Sequence, residues 1–240
     1  MATFWARGEC EADALLQSGY EPGTRYNVRV IDGLELHDVG MTYGSRTLFH
    51  GITLMLNAGE TLVVTGINGA GKSTLLKVVS GLLKPKSGSI RYGMGAELFS
   101  SSRNNAFGAY VAYTSPDVSL YSELTAIENL EFMARLRCVR RGAVEEALNL
   151  VALSRVNPNT LVGSYSSGMK QRLKLAASLL GAPPLIVWDE PTATLDADGR
   201  RIVDDIIAHH TSHGGLCVLA TNDSAEAQRW GDVVVQIGGA

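Results

Sequence analysis

The most informative stretch of the sequence is "GINGAGKST", Gly66–Thr74, which satisfies the pattern GxxxxGK[ST]. It follows a continuous β-branched run, "TLVVT" (61–65), and opens a segment with helical period, "KSTLLKVVSGLL" (72–83). Glycines let a backbone fold tightly round an anion with its N–H groups pointing inward, and a following helix adds its positive N-terminal end. Chance produces this pattern in on the order of one per hundred chains of this length. The stretch therefore predicts a phosphate-binding loop between a strand and a helix.

The residues of this loop have distinct expected tasks. Lys72 would reach the β- and γ-phosphates of a nucleotide, and the Ser73 hydroxyl would coordinate Mg²⁺. The candidate phosphate-binding residues are Gly66, Asn68, Gly69, Gly71, Lys72, Ser73 and Thr74.

A second stretch, "LIVWDEPT" (185–192), ends a buried apolar run with two carboxylates. Ligands bind at the carboxyl edge of parallel sheets, so the two carboxylates are placed where they could contact a bound ligand. Asp189 suits a water-mediated Mg²⁺ contact, and Glu190 suits polarising a water for attack on a γ-phosphate. Alone, such a pair is more often a solvated strand end. Beside a phosphate loop, we favour the functional interpretation.

A third stretch, "YSSGMKQRLKLA" (165–176), places Ser-Ser-Gly before a basic helix. By itself it predicts nothing more than a helix N-cap. In the sequence, however, this stretch lies between the phosphate loop and the strand that ends in two carboxylates. We therefore interpret it as a further candidate part of the site.

Composition limits the remaining possibilities. The chain has 240 residues, 45% hydrophobic and 19% charged, with a formal net charge of −3. This predicts an ordinary α/β domain and argues against a surface that coats nucleic acid. Cys10, Cys138 and Cys217 lie far apart, which argues against a disulfide framework or a zinc site. No apolar run approaches the roughly 18 to 20 residues that span a bilayer, so we expect any membrane role to come through a partner.

Periodicity divides the chain into an N-terminal extension of unknown role, 1–32, and one domain, 33–240. "LTAIENLEFMARLR" opens with Thr125 and has Glu128 three residues later, the pattern of a helix with a capping box. "RGAVEEALNLVAL" (141–153) predicts a second amphipathic helix, and "SSSRNN" (100–105) predicts a loop. Eight strands are predicted at 34–39, 52–56, 61–65, 89–92, 110–114, 185–188, 216–220 and 232–237.

Taken in order, these stretches resemble the nucleotide-binding subunit of ABC transporters over roughly residues 34–240. The resemblance implies an α/β P-loop NTPase cassette with a mixed sheet core, an antiparallel β subdomain and a helical subdomain at about 118–165. It also implies ATP and Mg²⁺ as cofactors. The matching motifs are Walker A at Gly66–Ser73, a signature "YSSGM" (165–169) in place of LSGGQ, Walker B at Leu185–Asp189, a D-loop "ATLD" (193–196), and Tyr43 as the aromatic that stacks on adenine.

The same resemblance implies a head-to-tail dimer, either a homodimer or a heterodimer, in which ATP lies between Walker A of one subunit and the signature of the other. Ser166, Ser167 and Gly168 would then face the partner's nucleotide. Closure on ATP and opening after hydrolysis would move a transmembrane permease, which would hold the cytoplasmic cassette on the inner face of the cell membrane. The chain is most similar to small haem-exporter and ABC-2-type export cassettes, so we expect export. The substrate is not predicted.

Two departures from the family pattern bear on turnover. The Q-loop glutamine should fall at Pro116, with Ser115 or Asp117 as replacements for its contact with Mg²⁺ or its water, unless the register differs by one. The switch histidine should stand at 222, where the chain has Asn222. An asparagine amide can donate a hydrogen bond to a γ-phosphate oxygen but carries no imidazolium charge. We interpret the nearby histidines as a surface helix end or loop: His209, His210 and His213.

Three functional hypotheses remain. In the first, which we favour, the chain is an active Mg²⁺-dependent ATPase with Glu190 and Asn222 as its catalytic residues. In the second, it binds ATP but hydrolyses it slowly and serves a heterodimer. In the third, it is a soluble ABC protein without a permease, although the chain shows none of the coiled-coil, tandem-cassette or basic insertions typical of that class.

Overall fold

The computed structural model describes residues 31–94, 97–99, 110–137, 139 and 142–238. The predicted N-terminal extension, apart from its last two residues, lies outside this part of the chain. So do the predicted loop at 100–105 and two of the three cysteines.

An antiparallel sheet of four strands forms one layer, in the order β2-β1-β4-β5. Its strands are β1 (Gly33–Tyr43), β2 (Arg46–Asn57), β4 (Ser87–Met94) and β5 (Glu97–Phe99). The first two run well beyond their predicted bounds because they form one long hairpin that turns at Gly44, whose φ is 58°. Irregular register between Leu36 and Thr42 interrupts the alternation of apolar and polar residues that sequence patterns rely on.

A five-stranded sheet forms the second layer, in the order β6-β7-β8-β3-β9, and every pairing in it is parallel. Its strands are β3 (Thr61–Thr65), β6 (Val111–Thr114), β7 (Leu185–Asp189), β8 (Leu216–Ala220) and β9 (Val233–Gln236). The predicted cassette fold is confirmed, with the antiparallel strands in a sheet of their own beside the parallel one.

The described part of the chain contains six helices. They are α1 (Lys72–Val79), α2 (Ala126–Leu136), α3 (Ala143–Leu150), α4 (Ser167–Leu179), α5 (Ala197–Ser212) and α6 (Ser224–Trp230). The capping box at the start of α2 is confirmed, with reciprocal bonds between Thr125 and Glu128. α2, α3 and a short 3₁₀ turn (Val162–Ser164) fall within the segment predicted as a helical subdomain. None of the helices described is long and apolar enough to cross a membrane.

Two apolar cores lie on opposite faces of the parallel sheet. Successive residues of β8 alternate between them: Val218 packs with α1 and the antiparallel sheet, whereas Leu219 packs with the helices on the other face. Because β3, β7 and β8 are adjacent and parallel, their carboxyl ends meet at one edge. The three polar segments that follow these strands are therefore brought together.

Candidate active site

A cavity of about 330 Å³ lies at this edge of the parallel sheet. Nine of the sequence-predicted site residues line it, from the phosphate loop, the end of β7 and the end of β8. The lining residues are Leu48, Asn68, Gly69, Gly71, Lys72, Ser73, Thr74, Pro116, Asp117, Asp189, Glu190 and Asn222.

The phosphate loop depends on glycines at three positions of left-handed backbone. Gly66, Gly69 and Gly71 have φ values of 144°, 80° and 109°. A Cβ on Gly66 would lie 2.3 Å from the carbonyl oxygen of Ile237, so no side chain fits there without moving β9's end. Gly71 precedes α1 and has no side chain to cap the first N–H groups of that helix. Such groups lack partners inside the helix, and here they adjoin the cavity as donors for an anion.

Lys72 is the buried cation of the site, with 7% of its side chain exposed. Its Nζ donates to the carbonyl oxygen of Gly66 at 2.9 Å and to Oδ1 of Asn222 at 2.6 Å. The same nitrogen lies 4.0 Å from Oε1 of Glu190. An ammonium group has three N–H donors, so Lys72 retains capacity for one further acceptor such as a phosphate oxygen.

Asn222 joins the three segments of the site through its amide. Its Nδ2 donates to Oε1 of Glu190 at 2.6 Å and to Oδ1 of Asn68 at 3.0 Å, while its Oδ1 accepts from Lys72. The orientation of the amide follows from its partners, because an ammonium can only donate and an ionised carboxylate can only accept. Both N–H groups of Asn222 are thus engaged with the protein. Donation to a γ-phosphate, as expected from the sequence, requires one of them to be released.

The two carboxylates at the end of β7 differ in their surroundings. Burial raises the pKa of Asp189, opposed by a hydrogen bond from the Ser73 hydroxyl and by the charges of Lys72 and Lys77. Burial also raises the pKa of Glu190, opposed by the charge of Lys72 and by hydrogen bonding from the backbone N–H of Asn222. A carboxylate with a raised pKa is a better proton acceptor, which suits Glu190 to act on a water.

Glu190 has an unusual backbone conformation as well. Its φ is 48°, in the left-handed region, and its N–H donates to the carbonyl oxygen of Ala220 at 2.9 Å. Strain of this kind is typical of functional positions. The bond to the last residue of β8 fixes Glu190 at the start of its loop, facing Asn222.

The site fits Mg²⁺ that arrives with a nucleotide. The Ser73 hydroxyl and the Asp189 carboxylate lie together and are oxygen ligands of the type that Mg²⁺ prefers. Within the described residues, no group of three His, Cys, Asp or Glu side chains could hold a metal by itself. The remaining ligands would therefore come from phosphate oxygens and water.

The loop after β6 also reaches the cavity, through Pro116 and Asp117. Nζ of Lys174, on α4, donates to the carbonyl oxygen of Pro116 at 2.7 Å. The charge of Asp117 contributes to the raised pKa of Asp189. Ser115, by contrast, is 2% exposed and does not line the cavity. Of the two replacements considered for the missing glutamine, the structure brings Asp117 to the site.

Other predicted residues do not line the cavity. Tyr43, at the end of β1, is 54% exposed and does not line it. Ser166 caps α4 by accepting a hydrogen bond from the N–H of Met169 at 3.2 Å, as the Ser-Ser-Gly pattern predicted. The remaining signature residues, Ser167 and Gly168, lie in the first turn of α4.

The three histidines near the end of α5 lie at the opposite edge of the sheet from the cavity. Nε2 of His210 contacts the carbonyl oxygen of Pro184, which precedes β7, and His209 and His213 are stacked and exposed. None of the three reaches the candidate site, as expected from the sequence.

Sequence reasoning missed two contributions to the cavity. Leu48 forms part of its wall, and Nη2 of Arg46 donates to the carbonyl oxygen of Gly69 at 3.0 Å. Both residues belong to β2, which the sequence pattern placed further along the chain. No local motif marks them, because their contact with the loop depends on how the two sheets pack.

The fold and the site together define a nucleoside triphosphatase of the phosphate-loop class. The family model described as ABC transporter matches residues 49–193, more than half of the chain. The chain therefore belongs to the ABC transporter family, as an ATP-binding subunit.

Individual relatives agree with this assignment. The chain is 38% identical over 183 residues to the cytochrome c biogenesis ATP-binding export protein CcmA of Rhizobium etli, covering 75% of this chain and 83% of the relative. A solved ATP-binding subunit of an ABC transporter superposes with a TM-score of 0.75 at 27% identity, covering 85% of each chain. A dimeric ATP-binding cassette in a post-hydrolysis state with ADP and Pi has a TM-score of 0.73 at 22% identity, covering 85% of this chain and 94% of its own, and shows the same fold.

Proposed function

We propose that this chain hydrolyses ATP within a head-to-tail dimer of cassettes and so drives a transmembrane permease in export. The observation that carries the proposal is the hydrogen-bonded series Lys72–Asn222–Glu190, which joins the phosphate loop to the base position inside one cavity. The side chains needed for binding and for water activation are thus assembled in a single chain.

Each residue of the series has a proposed role in hydrolysis. The loop backbone and Lys72 bind the β- and γ-phosphates, and Ser73 and Asp189 hold Mg²⁺, which offsets phosphate charge when bound. Glu190 accepts a proton from the attacking water and orients it. Asn222 holds the Glu190 carboxylate in place and competes for Lys72 with the γ-phosphate.

The exposed residues outside the cavity support the dimer. Ser166, Ser167 and Gly168 form the N-terminal turn of α4, whose positive dipole end suits a γ-phosphate bound to the partner subunit. Tyr43 belongs to the same hairpin as Arg46, which contacts Gly69 of the phosphate loop. An exposed aromatic ring at that rim suits stacking on adenine.

Export is proposed from the likeness to the Rhizobium etli relative, whose name describes an export protein. We propose a transmembrane permease subunit as the partner that the cassette drives. Through that subunit the cassette would bind to the inner face of the cell membrane.

Turnover of the purified chain compared with its Glu190→Gln variant tests the proposal. We expect the variant to lose about a hundredfold or more in the rate of ATP hydrolysis, since general-base catalysis contributes on that order. ATP affinity should stay within about threefold, because Glu190 lies outside the phosphate loop. Equal turnover of the two proteins would reject an active site at Glu190.

The second candidate is a slowly hydrolysing subunit of a heterodimer. It is favoured by one observation, the engagement of both Asn222 N–H groups with protein acceptors. Negligible turnover of the purified chain, restored on mixing with a second cassette from the same organism, would support it. Co-purification with a membrane protein separates both candidates from a soluble ABC protein.

A further inference from the structure

Glu226, on α6, is a buried carboxylate outside the nucleotide cavity. It is 2% exposed, and each of its oxygens accepts a short hydrogen bond from a buried threonine. Oε1 accepts from Oγ1 of Thr192 at 2.6 Å, and Oε2 accepts from Oγ1 of Thr221 at 2.6 Å. Hydrogen bonds to a buried charge are strong, and removing one leaves an unsatisfied group in a dry site.

The two threonines are placed beside the proposed catalytic pair. Thr192 stands two residues after Glu190, and Thr221 immediately precedes Asn222. A single carboxylate therefore ties the loop after β7 to the loop after β8. Those two loops carry the groups that form the 2.6 Å bond between Asn222 and Glu190.

Further contacts hold the start of α6, the helix that carries Glu226. Asp223 caps α6 by accepting from the N–H of Ala225 at 2.8 Å, and its own N–H donates to Oγ1 of Thr221 at 3.0 Å. Arg200 lies 3.9 Å from both Asp223 and Glu226, so its charge faces the buried carboxylate.

The same guanidinium extends this network to the D-loop. Nε of Arg200 donates to the carbonyl oxygen of Leu195 at 3.4 Å. The network thus connects α5, α6 and both loops without entering the cavity.

We propose that Glu226 is a positioning residue that sets the Asn222–Glu190 hydrogen bond through Thr192 and Thr221. This inference rests on the proposed function, because it assumes that Glu190 acts on water. Glu226 does not line the nucleotide cavity, so its effect on catalysis is indirect.

A purely structural role is the competing explanation, and the chain offers a matched control for it. Asp204, on α5, holds the other end of α6, accepting from Nη1 of Arg229 at 3.0 Å and from Nε1 of Trp230 at 2.7 Å. In this clamp too a carboxylate accepts two side-chain hydrogen bonds, here from a guanidinium and an indole, and it joins α6 to α5 as Arg200 does. It touches neither loop of the site.

The test compares Thr192→Val with Asp204→Asn in the full-length chain. Thr192→Val removes one hydroxyl at nearly constant shape and leaves the Glu226 charge, which itself raises the pKa of Glu190, in place. We expect kcat to fall about tenfold to a hundredfold, since misplacing reacting groups by about 1 Å has effects of that size. KM for ATP should change by less than about twofold, because the phosphate loop is untouched.

Two further readouts separate positioning from stability. Thr192→Ser, which restores the hydroxyl, should recover kcat to within about threefold of the parent chain. Asp204→Asn should lower the thermal midpoint and leave kcat unchanged.

The inference is overturned if Thr192→Val keeps the parent kcat, or if Asp204→Asn lowers kcat equally. If Thr192→Val does not fold, Glu226→Gln takes its place against the same control, with the same two outcomes deciding. Failure of the proposed function looks different: Glu190→Gln would then turn over like the parent chain, whatever Thr192→Val does.

Discussion

The loop after β3 and the loop after β8 contribute to the same cavity and contact each other through Lys72 and Asn222. They are built differently. The first is made by backbone: glycines at positive φ and the N–H groups that open α1. The second is made by side chains, with Asn222 oriented by partners from two other segments. The proposed binding of phosphate would therefore depend on nine consecutive residues, whereas the proposed turnover would depend on contacts between residues far apart in the sequence.

The largest expected effect comes from breaking the phosphate loop. Lys72→Ala should lower ATP affinity about a hundredfold or more, because the variant loses a charge-assisted contact in a buried site. Equilibrium titration with a fluorescent ATP analogue measures it. Lys84→Ala, an exposed lysine beyond α1, removes the same charge and should bind as the parent does. Unchanged affinity of the Lys72 variant would mean that the phosphate loop is misassigned.

A smaller effect is expected in the loop after β8. Asn222→Ala should lower kcat about tenfold and leave ATP affinity within about threefold, because it removes a donor to Glu190 without altering the phosphate loop. Glu190 must be ionised to accept a proton, and its pKa is already raised by burial. Loss of the donor raises that pKa further, so the acid limb of kcat should move to higher pH.

Asn222→His tests whether the amide of Asn222 limits turnover. A histidine at this position should raise turnover if the amide is limiting, and it should add a second titration to the acid limb, near the ordinary histidine range. Steady-state rates across pH 5 to about 9 test both variants. If Asn222→Ala and Asn222→His both behave as the parent chain, the amide has no part in turnover.

The smallest expected effect concerns Asp117, which lines the cavity from a third loop. Asp117→Asn should raise the Mg²⁺ concentration for half-maximal nucleotide binding about threefold to tenfold, since a carboxylate facing phosphates is favourable only with a cation between them. Titration of Mn²⁺ by electron paramagnetic resonance gives a second readout without turnover. Ser115→Ala is the matched control and should leave the half-maximal concentration unchanged. An unaltered requirement in the Asp117 variant would remove Asp117 from the metal site.

The sequence predicted the parts of the molecule that local pattern encodes. The phosphate loop follows from glycine conformation, and β3, β7 and β8 were predicted because buried parallel strands are continuous apolar runs. The partners of Asn222 could not be predicted, because Asn68 and Glu190 reach it only through the order of β3, β7 and β8. For the same reason the sequence did not predict a role for Glu226, which is one acidic residue in a short helix. Its hydrogen bonds to Thr192 and Thr221 depend on the tertiary fold, and no sequence motif predicts them.

The hydrogen bond from Lys174 to the carbonyl oxygen of Pro116 suggests how two such cassettes would influence each other. α4 begins at the signature residues that would face the partner's nucleotide, and eight residues after Ser166 its Lys174 holds the carbonyl of Pro116 beside its own cavity. A helix rises about 1.5 Å per residue, so the two points are about 12 Å apart on one rigid rod. In a dimer, nucleotide bound to the partner would contact the N-terminus of α4, and the same helix holds Pro116 at this chain's own cavity. We would then expect the two cassettes to hydrolyse ATP cooperatively even without a permease.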